Sequence, residues 1–132
     1  MQAALRHRGP DSAGKHLASG IGIAARRLSI VDLVTGDQPI YSEDRNVALV
    51  YNGEIYNHLA LRSKLEAQGH RYYSQSDAES VVHAYEEWGE AAMHRFRGMF
   101  AYALWDACSS KLWLVRDRLG QKPLYYVNTE AG

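Results

Sequence analysis

Apolar residues run without interruption over positions 47–51, a pattern typical of a strand buried on both faces. The run leads directly into Asn52-Gly53, a pair that tolerates positive φ. One interpretation is a hairpin with a type I′ turn at this pair. The other is that the strand stops here, because Asn57 can open a helix before the chain has room to pair back. The second interpretation places an amide side chain and a backbone N–H at a strand end, and two such donors can form an oxyanion hole.

Two helices are predicted after this strand. The first runs from about residue 58 to residue 68 and stops at Gly69. The second begins near Ser76, whose spacing from Glu79 is that of a capping box. Apolar residues then recur at helical spacing, which predicts core packing rather than a cofactor site; they are Val81, Val82, Tyr85 and Trp88.

Strand patterns lie on both sides of these helices. Residues 1–8 predict the tail of a helix, residues 8–14 a turn-rich loop, and residues 32–44 a long loop. The segments with strand character are residues 17–30, 99–105, 112–115 and 123–127, of which the second and third predict an antiparallel hairpin. Because these strands are apolar on both faces, helices are expected to cover the sheet.

Composition narrows the classes of function. A chain of 132 residues that is 46% hydrophobic is predicted to form a single domain. It carries 15 Lys+Arg against 15 Asp+Glu, so no phosphate-binding surface is predicted and nucleic acid is not expected as a partner. No apolar run is long enough to span a membrane. The single cysteine, Cys108, excludes an internal disulfide and fits a reducing, cytoplasmic compartment. The six histidines are scattered along the chain, so no metal site is expected.

Three charged residues are candidates for a site on the residues alone. Strand alternation directs one of Arg26 and Arg27 inward, although a strand arginine is usually a surface residue. Asp77 lies in the first turn of the predicted second helix, where the helix dipole favours an anion. A purely structural role therefore stays open for each of them.

Six stretches recur in a fixed order over nearly the whole chain: RHRGPD at 6–11, RLSIVD at 27–32, NGEIYN at 52–57, SDAE at 76–79, RGMFA at 97–101 and RDRLGQKPLYY at 116–126. In this order they resemble the glutaminase domain of asparagine synthetases, a class II glutamine amidotransferase. The resemblance implies an α+β fold of the N-terminal-nucleophile hydrolase type, a four-layer αββα sandwich of two antiparallel sheets, here incomplete.

The resemblance also implies roles for individual residues. Asn52, through its side-chain amide, and Gly53, through its backbone N–H, would form the oxyanion hole. Arg27 would hold the α-carboxylate of glutamine, for which a guanidinium fork is suited. Glu54 and Asp77 would line the site near the α-ammonium group. The implied substrate-binding set is completed by Leu28, Ile30 and Val31.

The nucleophile of this family is an N-terminal cysteine whose own α-amine assists proton transfer. Neither this cysteine nor its strand is found in residues 1–132, and Cys108 lies in a predicted hairpin turn. We therefore expect a partial domain that lacks the first strand and the C-terminal part and does not turn over by itself. The alternative is a non-catalytic module that binds glutamine or a protein partner.

The expected partners follow from the same resemblance. They are glutamine and the synthetase domain of a full-length protein, and ATP and magnesium would belong to that synthetase domain, so no cofactor is expected here. A missing strand would leave unpaired backbone groups along its former neighbours. Self-association into a homo-oligomer, a swapped segment or a rearrangement is expected to cover them.

Overall fold

The computed structural model describes residues 2–7, 9–27 and 37–129. Within them the chain forms two antiparallel sheets and two α-helices. In chain order the elements are β1 (Ser12–Ala18), β2 (Ile21–Arg27), β3 (Ile40–Tyr41), β4 (Val47–Ile55), α1 (His58–Ala67), α2 (Glu79–Trp88), β5 (Gly98–Asp106) and β6 (Lys111–Arg116), with 3-10 helices at Gln2–Leu5 and Gly89–Arg95. In this part of the chain, no helix is long and apolar enough to cross a membrane.

The two sheets differ in size. β1 and β2 form a hairpin that turns at Gly20, whose φ is +76°. The larger sheet has the order β3-β4-β5-β6. β4 and β5 pair along their whole length, from Val47 opposite Asp106 to Ile55 opposite Gly98. The hairpin predicted for residues 99–105 and 112–115 is confirmed by β5 and β6.

β4 continues through Asn52-Gly53 to Ile55, so both interpretations of this pair, a hairpin turn and a strand end, are wrong. Gly53 has a φ of +153°, and a Cβ built there would collide with the Met99 carbonyl oxygen on β5. A Cβ built at Gly98 would collide in the same way with the Glu54 carbonyl oxygen. Glycine is therefore required here for the close approach of two strands rather than for a turn.

The helices largely follow the sequence pattern. α1 begins one residue after Asn57 and ends at Ala67, close to the predicted bounds, and Gly69 follows at a φ of +103°. α2 begins at Glu79, later than predicted. The predicted capping box is wrong, because the Glu79 carboxylate accepts hydrogen bonds from the backbone N–H groups of Tyr73 and Ser74 instead of reaching back to Ser76.

The core lies between the helices and one face of the larger sheet. Phe96 stands at its centre, 1% exposed, with edge contacts to the rings of Phe100 and Tyr102 at 5.9 and 6.5 Å between centroids. Core packing by α2 is confirmed, since Val81 and Val82 are buried there. The other core members include Leu49, Ile55, Leu65 and Leu104.

The β1–β2 hairpin packs against the opposite face of the larger sheet. Ala48 and Ala101 are buried outside the helix-side core, as is Ile23 of β2. The described residues thus form three layers, namely helices, larger sheet and hairpin, while the 3-10 helix Gln2–Leu5 packs on β2 where the tail of a helix was predicted.

Three predictions for loops and the ends of elements are wrong. In the described part of the loop predicted over residues 32–44, the chain forms β3 at Ile40–Tyr41. The loop predicted over residues 8–14 gives way to β1 at Ser12, which pairs with Arg27. Residues 123–127 form no strand, and Tyr125 is 89% exposed. The reason lies just after β6, where the carboxylate of Asp117 accepts N–H groups from Gln121 and Lys122 and turns the chain away from the sheet.

Candidate functional site

The edge of β4 beyond its short pairing with β3 is occupied by side chains among the described residues. The Gln38 amide donates to the Tyr51 carbonyl oxygen and accepts from the Tyr51 N–H, both at 2.7 Å. Asp77 Oδ2 accepts the Ile55 N–H at 2.7 Å. Because alternate N–H groups of a strand face the same edge, the Gly53 N–H is expected to face this edge, between the two.

Asp77 also accepts a hydrogen bond from the Tyr51 hydroxyl, at 2.6 Å and again on Oδ2. Burial of the hydroxyl, together with the neighbouring Asp77 carboxylate, raises the pKa of Tyr51 above its ordinary value. The carboxylate therefore joins the start of α2 to the end of β4 on the helix side of the sheet. This structural contact was not foreseen, since the sequence suggested only a helix-dipole role or contact with a ligand.

Asn52 and Glu54 lie on the other face of β4, because strand side chains alternate. Both are exposed. Asn52 lines a cleft of about 270 Å³ between β2 and the larger sheet. The predicted site residues therefore form two groups: Asn52 and Glu54 on the hairpin face, and Asp77 on the helix face, with Gly53 in the strand between them.

The two adjacent arginines of β2 have different surroundings. Arg26 lines the cleft, and its Nε donates to the Gly9 carbonyl oxygen at 2.7 Å. The Arg27 side chain is 14% exposed and has Nη1 3.8 Å from the Asp37 carboxylate. The sequence analysis gave a ligand role to Arg27 and none to Arg26. The position of Arg26 in the cleft results from the packing of the hairpin on the larger sheet, which the sequence does not reveal. The remaining predicted substrate-binding residues, Leu28, Ile30 and Val31, lie outside the described residues.

Asp117 is a polar residue of this region that sequence reasoning missed. It is 4% exposed, and its carboxylate accepts four backbone N–H groups at 2.9–3.2 Å, those of Phe100, Leu119, Gln121 and Lys122. These bonds, that from Lys122 foremost, hold the pKa of Asp117 below its usual value. Since Phe100 is the partner of Gly53 across the sheet, Asp117 fixes the strand that flanks the β4 glycine. The RDRLG motif at residues 116–120 was the sequence signal that could have identified Asp117.

A second polar cluster lies where α2 meets the chain after α1. His70, His83 and Glu86 bring potential ligand atoms within 4.8 Å of one another, although the two histidines are 13 positions apart. Against burial, which lowers it, the carboxylates of Glu79 and Glu86 raise the pKa of His83 to about 9. The expectation of no metal site rested on spacing along the chain, which does not reveal this juxtaposition.

Comparison with known proteins relates the chain to one family. The profile described as "Glutamine amidotransferase domain" matches residues 1–132. Asparagine synthetase [glutamine-hydrolyzing] 2 of Bacillus subtilis (strain 168) is 46% identical over 126 residues, which are 96% of this chain and 17% of that protein. Asparagine synthetase [glutamine-hydrolyzing] 3 of Arabidopsis thaliana is 46% identical over 121 residues, 92% of this chain and 21% of that protein. The chain thus spans about a fifth of the length of these relatives.

A solved structure supports the same relationship at the level of the fold. Glutamine phosphoribosylpyrophosphate amidotransferase from B. subtilis, complexed with ADP and GMP, aligns with a TM-score of 0.57 at 22% identity. The alignment covers 73% of this chain and 23% of that one. The α+β fold with two antiparallel sheets, of the N-terminal-nucleophile type, is thereby confirmed.

Proposed function

Because the chain belongs to the glutamine amidotransferase domain family, we propose that it binds glutamine at the edge of β4 and serves the hydrolysis of the side-chain amide to glutamate and ammonia. The similarity to asparagine synthetases supports a further part of the proposal. The ammonia would pass to a synthetase domain of the full-length protein, where it forms the amide of asparagine.

The observation that carries the proposal is the hydrogen bonding along the edge of β4. Gln38 bonds the backbone of Tyr51, and Asp77 accepts the N–H of Ile55. The Gly53 N–H is expected to face the same edge between these two bonded groups, where it can donate to a ligand. The exposed Asn52 amide is the adjacent side chain. Two neutral donors that converge on a carbonyl oxygen stabilise its negative charge in the transition state, at about 2.7–4 kcal/mol for one donor.

The charged groups of glutamine require separate partners. We assign the α-carboxylate to Arg27. It is the last residue of β2 and directly follows Arg26, which lines the cleft together with Asn52. We assign the α-ammonium group to the edge of β4 near Ile55, where Asp77 would meet it from the helix face and Glu54 from the hairpin face. Both hydrogen bonds of Asp77 fall on Oδ2, and none reaches Oδ1 from the described residues, so Oδ1 can accept from a ligand.

Cys108 does not supply the nucleophile in this proposal. It is exposed in the turn between β5 and β6, beside the start of β4, where Val47 pairs with Asp106. Gly53 is six residues further along β4, a separation of about 20 Å at roughly 3.3 Å per residue. Residues 1–132 are therefore assigned glutamine recognition and oxyanion stabilisation. We expect no ammonia release from glutamine by the purified chain, with or without Cys108→Ala; release that survives this substitution would show that another group attacks.

Glutamine calorimetry tests the binding step. Arg27→Ala should weaken glutamine binding about 10- to 150-fold, because a charge-assisted hydrogen bond to a carboxylate contributes about 1.5–3 kcal/mol. Arg71→Ala, at an exposed arginine outside the site, is the matched control and should leave the affinity unchanged. Equal affinities of the parent chain and the Arg27→Ala variant would remove Arg27 from the site, and absence of glutamine binding to the parent chain would refute the proposal.

A further inference from the structure

Two histidines and a glutamate bring their ligand atoms together where α2 meets the chain after α1. His83 Nδ1 lies 2.8 Å from Glu86 Oε2, and His70 Nδ1 lies 3.7 Å from the same oxygen. The two imidazole rings are 5.0 Å apart between centroids. The Nδ1 atoms of both histidines therefore face one carboxylate oxygen, which is a converging set of two nitrogens and one oxygen.

The distal nitrogen of each histidine faces a different carboxylate. His83 Nε2 is buried, makes no hydrogen bond to the described residues and lies 3.4 Å from Glu79 Oε1. His70 Nε2 lies 3.3 Å from Glu87 Oε2. Metal-binding histidines commonly present their second N–H to a carboxylate, which fixes the tautomer and the orientation of the ring. A metal at Nδ1 would place the remaining proton of His83 on Nε2, facing Glu79.

Glu79 is held in place independently of any ion. It is fully buried, at 0% exposure, and the N–H groups of Tyr73 and Ser74 donate to its two oxygens at 2.7 and 2.8 Å. The Ser74 hydroxyl donates to it as well. A buried charge on such a scaffold requires a cation nearby. With neutral histidines, the carboxylates of Glu79, Glu86 and Glu87 would leave the cluster with an excess of negative charge.

We propose that His70, His83 and Glu86 bind a divalent transition-metal ion of the zinc class. Two imidazoles and one carboxylate are ligands that Zn²⁺ accepts, with a fourth position left for water. The site has an entry path, since the side chains of His70 and Glu86 are 16% and 26% exposed. Glu79 and Glu87 are positioning residues. Binding of the ion releases to water the proton that His83 shares with Glu86, because a metal ligand must be deprotonated. The site does not depend on the proposed glutamine function.

Zn²⁺ titration of the purified chain by calorimetry tests the proposal. All proteins carry Cys108→Ser, because an exposed thiolate is itself a zinc ligand. We expect one Zn²⁺ per chain, and a loss of at least about 10-fold in affinity for His70→Ala and for Glu86→Gln. His94→Ala, at an exposed histidine outside the cluster, should bind as the parent does. Glu87→Gln keeps every ligand and should weaken binding about 10-fold through the orientation of His70.

Co²⁺ supplies a readout that a structural role alone would not change. The parent should develop visible absorption bands typical of low-coordinate Co²⁺, and the His70→Ala protein should not, while far-UV circular dichroism confirms that both are folded. Zinc affinity that is unchanged in His70→Ala and Glu86→Gln would overturn the proposal. A stoichiometry of one Zn²⁺ per chain that persists when His70→Ala and Glu86→Gln are combined would overturn it as well.

Discussion

The contact between Asp77 and the end of β4 makes a quantitative prediction. Tyr51→Phe removes one hydrogen bond to a carboxylate, of 2.6 Å, and should cost about 1.5–3 kcal/mol of unfolding free energy. Asp77→Ala removes the acceptor of both the Tyr51 hydroxyl and the Ile55 N–H, so its cost should be about 3–6 kcal/mol. In the Asp77→Ala background the hydroxyl has no acceptor, and Tyr51→Phe should then be neutral or stabilising.

Urea unfolding followed by circular dichroism measures these differences. With an m-value of about 2 kcal/mol/M, Tyr51→Phe should lower the midpoint by about 1 M. Tyr125→Phe, at a ring that is 89% exposed, is the matched control and should leave the midpoint unchanged. Coupling between the two substitutions should reach at least about 1.5 kcal/mol. If the losses for Tyr51→Phe and Asp77→Ala add within about 0.5 kcal/mol, the two side chains do not interact and the contact does not join α2 to β4.

Two further substitutions examine the same end of the sheet. Gly53→Ala should destabilise the chain by about 2–4 kcal/mol in thermal or urea unfolding, because the added Cβ meets the Met99 carbonyl oxygen. Gly69→Ala is the control, since Gly69 also has a positive φ but lies in open space, and it should cost less. Equal costs would assign the effect to φ alone. Asp117 has a lowered pKa in the folded chain, so the stability it contributes is present above its unfolded pKa of about 3.9 and is lost as the pH falls through the folded value. Asp117→Asn should therefore flatten the acid limb of the stability curve, and an unchanged slope below pH about 4 would contradict this.

Local patterns were sufficient for some elements. The helical spacing of Leu61 and Leu65 predicts α1, and the continuous apolar run that ends at Trp105 predicts β5, because the residues that each element buries are apolar in its own sequence. The six ordered motifs predicted the two-sheet fold, which the comparison with a solved amidotransferase confirms.

Contacts between distant segments account for what the sequence did not predict. Asn52-Gly53 reads as a chain reversal, and only the pairing of Gly53 with Phe100 shows that the glycine admits a neighbouring strand. Glu79 has capping-box spacing, but the N–H groups of residues 73 and 74 compete for its carboxylate. The approach of His70 to His83 depends on how the chain returns after α1. The predicted roles in glutamine binding remain predictions.

Gln38 gives the edge of β4 a chemical constraint that shape alone would not impose. A primary amide presents an acceptor and a donor side by side, as a peptide group does, and so it matches both backbone groups of Tyr51. A glutamate of the same size would direct a second acceptor at the Tyr51 carbonyl oxygen, and its repulsion would free this stretch of strand. One side chain thus takes the place of a paired strand over the length of a single peptide. Among the described residues, the next side chain to meet this edge is Asp77, at the Ile55 N–H.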